Sequence, residues 1–321
     1  MDFEKKLKQL LGNNLKQQAI LAPYTSWRIG GPAKYFCHIA DLSTLKSVVK
    51  LAEDKDRPYF IIGGGSNILV SDRGFDGLVL KLLFNRLKVH PDHCLEVGAG
   101  LLLSKAVGQA LSSGLSGLEW AAGIPGTVGG AICNNAGAYG GDMSQLVESV
   151  QILRQGRIKT IKNKDCRFSY RQSIFREKNQ GLILAASLKL QPKDKELIRK
   201  KISDILKERK KKFGVGHCVG SVFKNVNLSQ LEAQQFAENF PACPKEFIAA
   251  QTIPSAWLID QCDLRGRKIG GAAVSALHAG IINNVGGATA EDVIILISII
   301  KQKVRSRFNL QLREEIEYVG F

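Results

Sequence analysis

A chain of 321 residues, 45% hydrophobic and 23% charged, has the composition of a soluble globular protein and is long enough for two or three domains. Its longest largely apolar run, residues 293–300, falls far short of the roughly 20 residues a membrane-spanning helix needs, and its N-terminus (MDFEKKLKQLLGNNLKQQ) is not a secretory signal. The formal net charge of +16 raises nucleic acid as a partner, but no zinc-finger or RNP-like motif accompanies it. Seven cysteines, an odd number without a CxxC pair, fit reduced thiols better than a disulfide framework or a zinc site. The five histidines (38, 90, 93, 217, 278) include no metal-ligand pair, so no metal is expected.

In chain order, residues 1–20 form an amphipathic, charged stretch expected to be an N-terminal helix. Residues 41–54 follow as a helix with Leu45, Val48, Val49 and Ala52 on one face. Residues 59–62 read as a short strand that runs into Gly63-Gly64-Gly65-Ser66-Asn67 and a second apolar stretch at 68–70. Strands are expected at 78–83 and 95–97, a helix at 101–111, and strands at 147–153 and 182–190. Residues 193–212 (KDKELIRKKISDILKERKKK) read as one basic amphipathic helix, with Ile198, Ile202, Ile205 and Leu206 at helical spacing. It has no interleaved aromatics, so a solvated helix face is the simpler reading than a nucleic-acid surface. The domain boundary is placed there. Beyond it lie a segment at 220–226, a helix at 255–262, a strand at 279–283 and a helix from 289. Thr289-x-x-Asp292 resembles a capping box, and Val293, Ile294, Ile297, Ile300 and Val304 continue the apolar face.

The charge is unevenly spread. Residues 106–153 contain no lysine or arginine, and residues 117–141 (GLEWAAGIPGTVGGAICNNAGAYGG) carry eight glycines. A backbone without Cβ atoms comes close to a ligand and offers N–H donors to an anion without ammonium groups. The segment therefore reads either as a phosphate cradle or as a small-residue loop packed in a core. Neither a Walker A run nor the dinucleotide fingerprint GxGxxG is present. Any cradle has to be built differently, from the two glycine loops at 63–67 and 123–130.

Six blocks occur in order: TSWRIGGPA (25–33), IIGGGSNILVSDRGFDGLVL (61–80), GLEWAAGIPGTVGGAICNNAGAYG (117–140), FSYRQSIFR (168–176), GSVFKN (220–225) and IGGAAVSALHAGIINNVGGATAEDV (269–293). Together they resemble the UDP-N-acetylenolpyruvoylglucosamine reductase family, from about residue 20 to the end. The resemblance implies an α+β fold: a two-subdomain FAD-binding domain of the vanillyl-alcohol-oxidase type plus a C-terminal α+β substrate-binding domain. The expected division is 1–20 N-terminal helix, 21–192 FAD-binding domain, 193–213 basic linking helix and 214–321 substrate-binding domain. The implied reaction belongs to cytoplasmic peptidoglycan precursor synthesis, and so to cell wall biogenesis, cell shape and division. NADPH reduces FAD, the flavin passes hydride to the terminal carbon of the enolpyruvyl ether of UDP-N-acetylglucosamine, and a proton reaches the neighbouring carbon to give UDP-N-acetylmuramate. The expected partners are that substrate and NADPH, with no obligate nucleic acid and with the protein a monomer.

Carried over residue by residue, the resemblance assigns the FAD diphosphate to Gly63, Gly64, Gly65, Ser66 and Asn67, completed by Gly123, Gly126, Thr127 and Gly130. No His or Cys in GGGSN offers a covalent link, so FAD is expected to be non-covalent. The implied catalytic residues are Arg171, holding the substrate carboxylate as charge develops; Ser221, the proton donor; and Glu315. Read without the motifs, a lone Arg is more often a surface ion-pair partner and Gly-Ser more often a turn. Three glutamates, 314, 315 and 317, leave the register of the last position slightly ambiguous; in a strand, Glu315 and Glu317 share a side. Tyr170, Lys224 and Asn225 are expected to touch substrate. The chain departs from the family pattern with Val226 where a proline is common, and with residues 212–217 where a Gln-Pro turn is usual. One family type carries an extra loop whose tyrosine closes on the substrate. No tyrosine lies between Tyr170 and Tyr318, which implies the type without it. Another flavin oxidoreductase of the same fold is the competing enzyme reading, and a basic nucleic-acid-binding module is the competing class.

Overall fold

The computed structural model describes residues 3–177, 180–213 and 216–321. The chain divides into two compact units that interleave in sequence: Met1–Ile20, Pro32–Gly65 and Phe75–Lys210 make the first, and Leu21–Gly31, Ser66–Gly74 and Lys211–Phe321 the second.

The first unit holds two sheets, each with its own core. In one, Lys16–Ile20, Pro32–Ile39, Phe75–Leu82 and Tyr59–Ile61 lie side by side in that order. The first pair is antiparallel and the rest parallel. Alternation decides which face is covered: Tyr35, Cys37, Ile39, Leu78, Leu80 and Leu82 turn to a core shared with Leu45, Val48 and Ala52 of the helix Leu42–Asp54. That helix starts where Asp41 accepts a hydrogen bond from the Thr44 N–H at 2.8 Å. The N-terminal helix is shorter than the expected 1–20. It spans Phe3–Leu11, is stopped by Gly12-Asn13-Asn14, and gives way to the edge strand Lys16–Ile20. Leu7 and Leu11 anchor it to the same core, while Lys16, Gln17 and Gln18 satisfy the backbone of an edge rather than a helix.

The second sheet runs Arg157–Lys162, Val147–Arg154, Leu182–Lys189, Cys94–Gly98 and Leu87–Val89, antiparallel throughout. Its core takes in Leu103, Ala106 and Val107 of the helix Leu103–Ser112 and Ile205 of the basic helix Lys195–Phe213. The basic helix thus docks one apolar stripe on this unit and leaves its lysines exposed.

The second unit gathers Trp27 and Leu69 from the early segments around Phe223, Leu258, Val293, Leu296, Ile300 and Phe308. Strand Ile68–Val70 pairs in parallel with Glu317–Val319. The Trp27 indole N–H donates to the Ile282 carbonyl at 2.7 Å, and the Asn284 amide donates to the Trp27 carbonyl at 2.8 Å. These pairings lock two short early segments into a unit built mostly from the C-terminal third.

Helix Ala290–Phe308 shows how firmly this unit is specified. The capping box expected at Thr289 and Asp292 is present: the Thr289 hydroxyl accepts from the Asp292 N–H and the Asp292 carboxylate from the Thr289 N–H, both at 3.0 Å. Asp292 also accepts from the Gly271 N–H at 3.1 Å, and Asp72 accepts from the Ala290 and Glu291 N–H groups at 2.9 and 3.2 Å. Two carboxylates therefore meet the orphan donors of one helix start. Asp292→Ala is expected to cost about 1–2 kcal/mol in urea unfolding. The hydrogen bonds from Thr289 and Gly271 hold the Asp292 carboxyl below its ordinary 3.8. A lowered folded value stabilises the fold above the unfolded pKa, and the benefit is lost as pH falls through the folded one. The gap between variant and parent should accordingly close below about pH 4.

Among the described residues, no helix is long and apolar enough to cross a membrane and no group of His, Cys, Asp and Glu is placed to hold a metal ion.

Candidate functional site

The glycine loops meet inside the first unit. A Cβ built on Gly64 would fall 2.5 Å from the Gly126 Cα, and one built on Gly63 would fall 2.7 Å from the Thr127 hydroxyl oxygen. Gly126 itself has φ +123°, a backbone that side chains rarely adopt. Two backbones touch here because neither carries a side chain. The second loop is held from behind: the Leu103 N–H donates to the Gly126 carbonyl at 3.0 Å, the Val128 N–H to Leu101 at 2.9 Å and the Gly129 N–H to Ala99 at 2.9 Å. Thr127 caps the short helix Val128–Cys133 by accepting from the Gly130 N–H at 3.3 Å. Gly123 instead faces the basic helix, where a Cβ would lie 3.0 Å from Arg209 and Leu206 atoms.

The GGGSN run is divided between the units, with Gly63, Gly64 and Gly65 in the first and Ser66 and Asn67 in the second. Asn67 has a structural task that the sequence did not announce. Its side-chain amide donates to the Glu315 carbonyl at 3.1 Å, and its own carbonyl accepts from the Glu317 N–H at 2.9 Å. The motif thereby fixes the backbone that carries Glu315.

Also in the first unit, Arg171 sits at φ +57°, a strained value for a non-glycine residue. Its guanidinium donates to the Gly137 carbonyl at 2.7 Å and lies 5.1 Å from the Tyr170 ring centroid. Ser169 and Gln172 pair across the turn, Asn135 donates to the Ser169 carbonyl at 3.0 Å, and Arg176 donates to the Asn134 carboxamide oxygen at 3.0 Å. The glycine-dense segment therefore does two jobs: one end packs on Gly64, and the other, residues 134–137, holds the turn that presents Arg171.

In the second unit, Ser221, Lys224 and Glu315 share one irregular ladder. The Glu315 N–H donates to the Val222 carbonyl at 2.8 Å, the Lys224 N–H to Arg313 at 2.9 Å, and the Val222 N–H to Gly280 at 2.9 Å. Ser221 bridges Ile281, and Phe223 bridges Glu314. Asn225 is exposed and accepts from the Ser255 N–H at 3.3 Å. Val226 opens a two-residue pairing of Val226–Asn227 with Thr252–Ile253. Of the 212–217 departure, Gly214 and Val215 lie outside the described residues.

The three glutamates part company. Glu314 pairs with Lys301 at 2.9 Å and Glu317 is exposed, whereas Glu315 is half-buried beside the Ser221 strand. Two more polar groups lie close by, in the quoted block 269–293 but outside the expected site. The His278 Nδ1 and Asn283 Oδ1 are buried with no hydrogen-bond partner among the described residues. Burial, with Lys212 and Arg265 nearby, pushes the His278 imidazole below its ordinary value, towards the neutral form. Unpaired buried polar atoms are rare, and these two lie within three residues of Ile281, which bridges Ser221.

Comparison with known proteins decides what this arrangement is. The profile for the C-terminal domain of UDP-N-acetylenolpyruvoylglucosamine reductase matches residues 210–319, and that for an FAD binding domain matches residues 33–162. The reductase of Clostridium novyi is 36% identical, over 100% of this chain and 97% of its own length. That of Geotalea uraniireducens is 37% identical, over 99% and 98%.

The chain belongs to the UDP-N-acetylenolpyruvoylglucosamine reductase family.

A solved reductase structure from Thermus caldophilus agrees, with a TM-score of 0.76 and 29% identity over 95% of this chain and 99% of that one. As a member of the reductase family the protein is an FAD-dependent oxidoreductase, and the α+β class with an FAD-binding domain holds. The first unit fits that cofactor. A diphosphate needs converging N–H groups without side-chain bulk, and the Gly64–Gly126 contact is a cradle that any Cβ would fill.

Proposed function

We propose that this reductase converts the enolpyruvyl ether of UDP-N-acetylglucosamine to UDP-N-acetylmuramate, with NADPH as reductant and FAD held non-covalently, in the cytoplasmic synthesis of peptidoglycan precursors. The observation that supports this reading is the ladder tying residues 222–224 to 313–315, which bonds the Glu315 backbone to Val222, the residue after Ser221, in the unit matched by the reductase C-terminal profile. We assign the glycine cradle for FAD, Gly63 to Gly65 with Gly126, Thr127 and Gly130, to the first unit, and proton delivery, by Ser221 and Glu315, to the second.

FAD, when bound, supplies the two-electron chemistry linking nicotinamide to the enolpyruvyl double bond. The chain's own residues do the rest. Arg171, always charged and already oriented by Gly137 and Tyr170, takes the substrate carboxylate and stabilises the negative charge that spreads into it when the terminal carbon is reduced. Ser221 gives its hydroxyl proton to the neighbouring carbon, completing the lactyl ether. A serine hydroxyl is a weak acid, so it needs help at the moment of transfer. Glu315, on the adjoining ladder position, relays the replacement proton. Gly63, Gly64, Gly65, Ser66, Asn67, Gly126, Thr127 and Gly130 are assigned to the FAD diphosphate. Gly123 supports the second loop, and Tyr170, Lys224 and Asn225 are assigned to substrate.

The test is direct. Purified protein mixed with NADPH is expected to oxidise it at a rate that depends on added enolpyruvyl substrate. A folded, yellow protein that consumes no NADPH in response to substrate contradicts the proposal.

A further inference from the structure

The cation missing from the glycine loops is present one layer behind them. In the strand Phe75–Leu82, Leu78, Leu80 and Leu82 face the core, which puts Lys81 on the opposite face of the sheet. Its ammonium donates to the Gly63 carbonyl at 2.7 Å. Lys81 is only partly exposed, and no carboxylate forms an ion pair with it among the described residues. Across the parallel pairing its neighbour is His38, another group that does not offset positive charge. Burial lowers the Lys81 pKa, the mark of a desolvated ammonium without an anion. A half-buried cation with one neutral acceptor is costly unless something offsets it. The peptide it touches joins Gly63 to Gly64, the residue pressed against Gly126.

We propose that Lys81 is a positioning residue for the FAD diphosphate. By donating to the Gly63 carbonyl it fixes the Gly63–Gly65 turn, polarises the Gly63–Gly64 peptide so that the Gly64 N–H is a stronger donor, and supplies the positive charge the loops lack. Hydrogen bonds in series strengthen one another in a low dielectric, and a charged first donor strengthens the chain most. The arrangement keeps a bulky ammonium out of a contact that has no room for a single Cβ. The inference rests on the assignment of Gly63, Gly64 and Gly65 to the diphosphate.

The test compares FAD with riboflavin, which lacks the diphosphate. Both are measured by equilibrium dialysis and flavin fluorescence on the full chain after flavin exchange, in the parent, Lys81→Met, Lys81→Gln and Lys81→Arg. The parent is expected to bind FAD far more tightly than riboflavin. Lys81→Met and Lys81→Gln are expected to lose on the order of 10- to 100-fold in FAD affinity, and Lys81→Arg only about 3-fold. Riboflavin affinity should stay unchanged in all three. FAD affinity at the parent level in Lys81→Met or Lys81→Gln overturns the inference, and so do equal losses for FAD and riboflavin. Should Lys81→Met fail to fold, the contrast between Lys81→Gln and Lys81→Arg still decides. A parent that does not discriminate FAD from riboflavin sinks the loop assignment itself, and the inference with it.

Discussion

A Gly64→Ala protein is expected to fold and to bind FAD more weakly than the parent. The added Cβ would lie 2.5 Å from the Gly126 Cα, and the neighbour is backbone, not the end of a side chain that can swing away. One of the two loops must move. Gly126 is fastened by the Leu103 N–H, and Val128 and Gly129 by their bonds to Leu101 and Ala99, so the movement falls on residues 63–65. Overpacking of this kind costs about 1–3 kcal/mol. If the strain is relieved by opening the cradle, the cost appears as weaker FAD binding, roughly 5- to 150-fold at 1.4 kcal/mol per tenfold. Far-UV circular dichroism should be retained, because the strain falls on the turn at residues 63–65, outside the helices and strands of this unit. Gly123→Ala is the contrasting variant. Its Cβ meets the Arg209 and Leu206 side chains, and its φ of +74° adds strain, so it should lose stability more than flavin. A yellow Gly64→Ala protein with parental FAD affinity contradicts the cradle.

Ser221→Ala is expected to separate the two halves of the reaction. NADPH should still bleach the flavin, since the hydroxyl has no part in that step, while reoxidation by the enolpyruvyl substrate slows about 10²- to 10⁴-fold, the range a positioned proton donor contributes. Arg171→Lys should also slow that half, because an ammonium cannot grip a carboxylate at two points. Glu315→Gln belongs with these. Glu317→Gln should behave like the parent because Glu317 is exposed. Near-normal turnover in Glu315→Gln with loss in Glu317→Gln would show that the register is off by two. Rapid mixing of each variant with NADPH, then with substrate, reads both halves in one experiment.

The elements legible in the sequence were those whose signals are local. The helix Leu42–Asp54 announced itself through the apolar stripe of Leu45, Val48, Val49 and Ala52, and the helix Ala290–Phe308 through Thr289 and Asp292. The strands Val147–Arg154 and Leu182–Lys189 appeared as β-rich runs. The strand Pro32–Ile39 did not, because its burial does not alternate cleanly, with Tyr35, Phe36 and Cys37 all buried in succession. The interleaving of the units was equally hidden. Ile68–Val70 pairs with Glu317–Val319, and Trp27 bonds to Ile282; partners some 250 residues apart leave no periodic trace. Within the candidate site, the glycine loops were legible because a close backbone approach needs glycine. The second role of Asn67 was not, since an Asn in a turn has a sufficient local reason to be there. Lys81 looked like one lysine among 45 Lys and Arg residues. Only its geometry distinguishes it.

The most direct test of the central claim is the visible spectrum of the purified protein under anaerobic conditions. The protein should show flavin absorbance, lose it on addition of NADPH, and regain it on addition of the enolpyruvyl ether of UDP-N-acetylglucosamine, one equivalent restoring one flavin. A colourless folded protein, or a bleached flavin that the enolpyruvyl ether does not restore, would contradict the account.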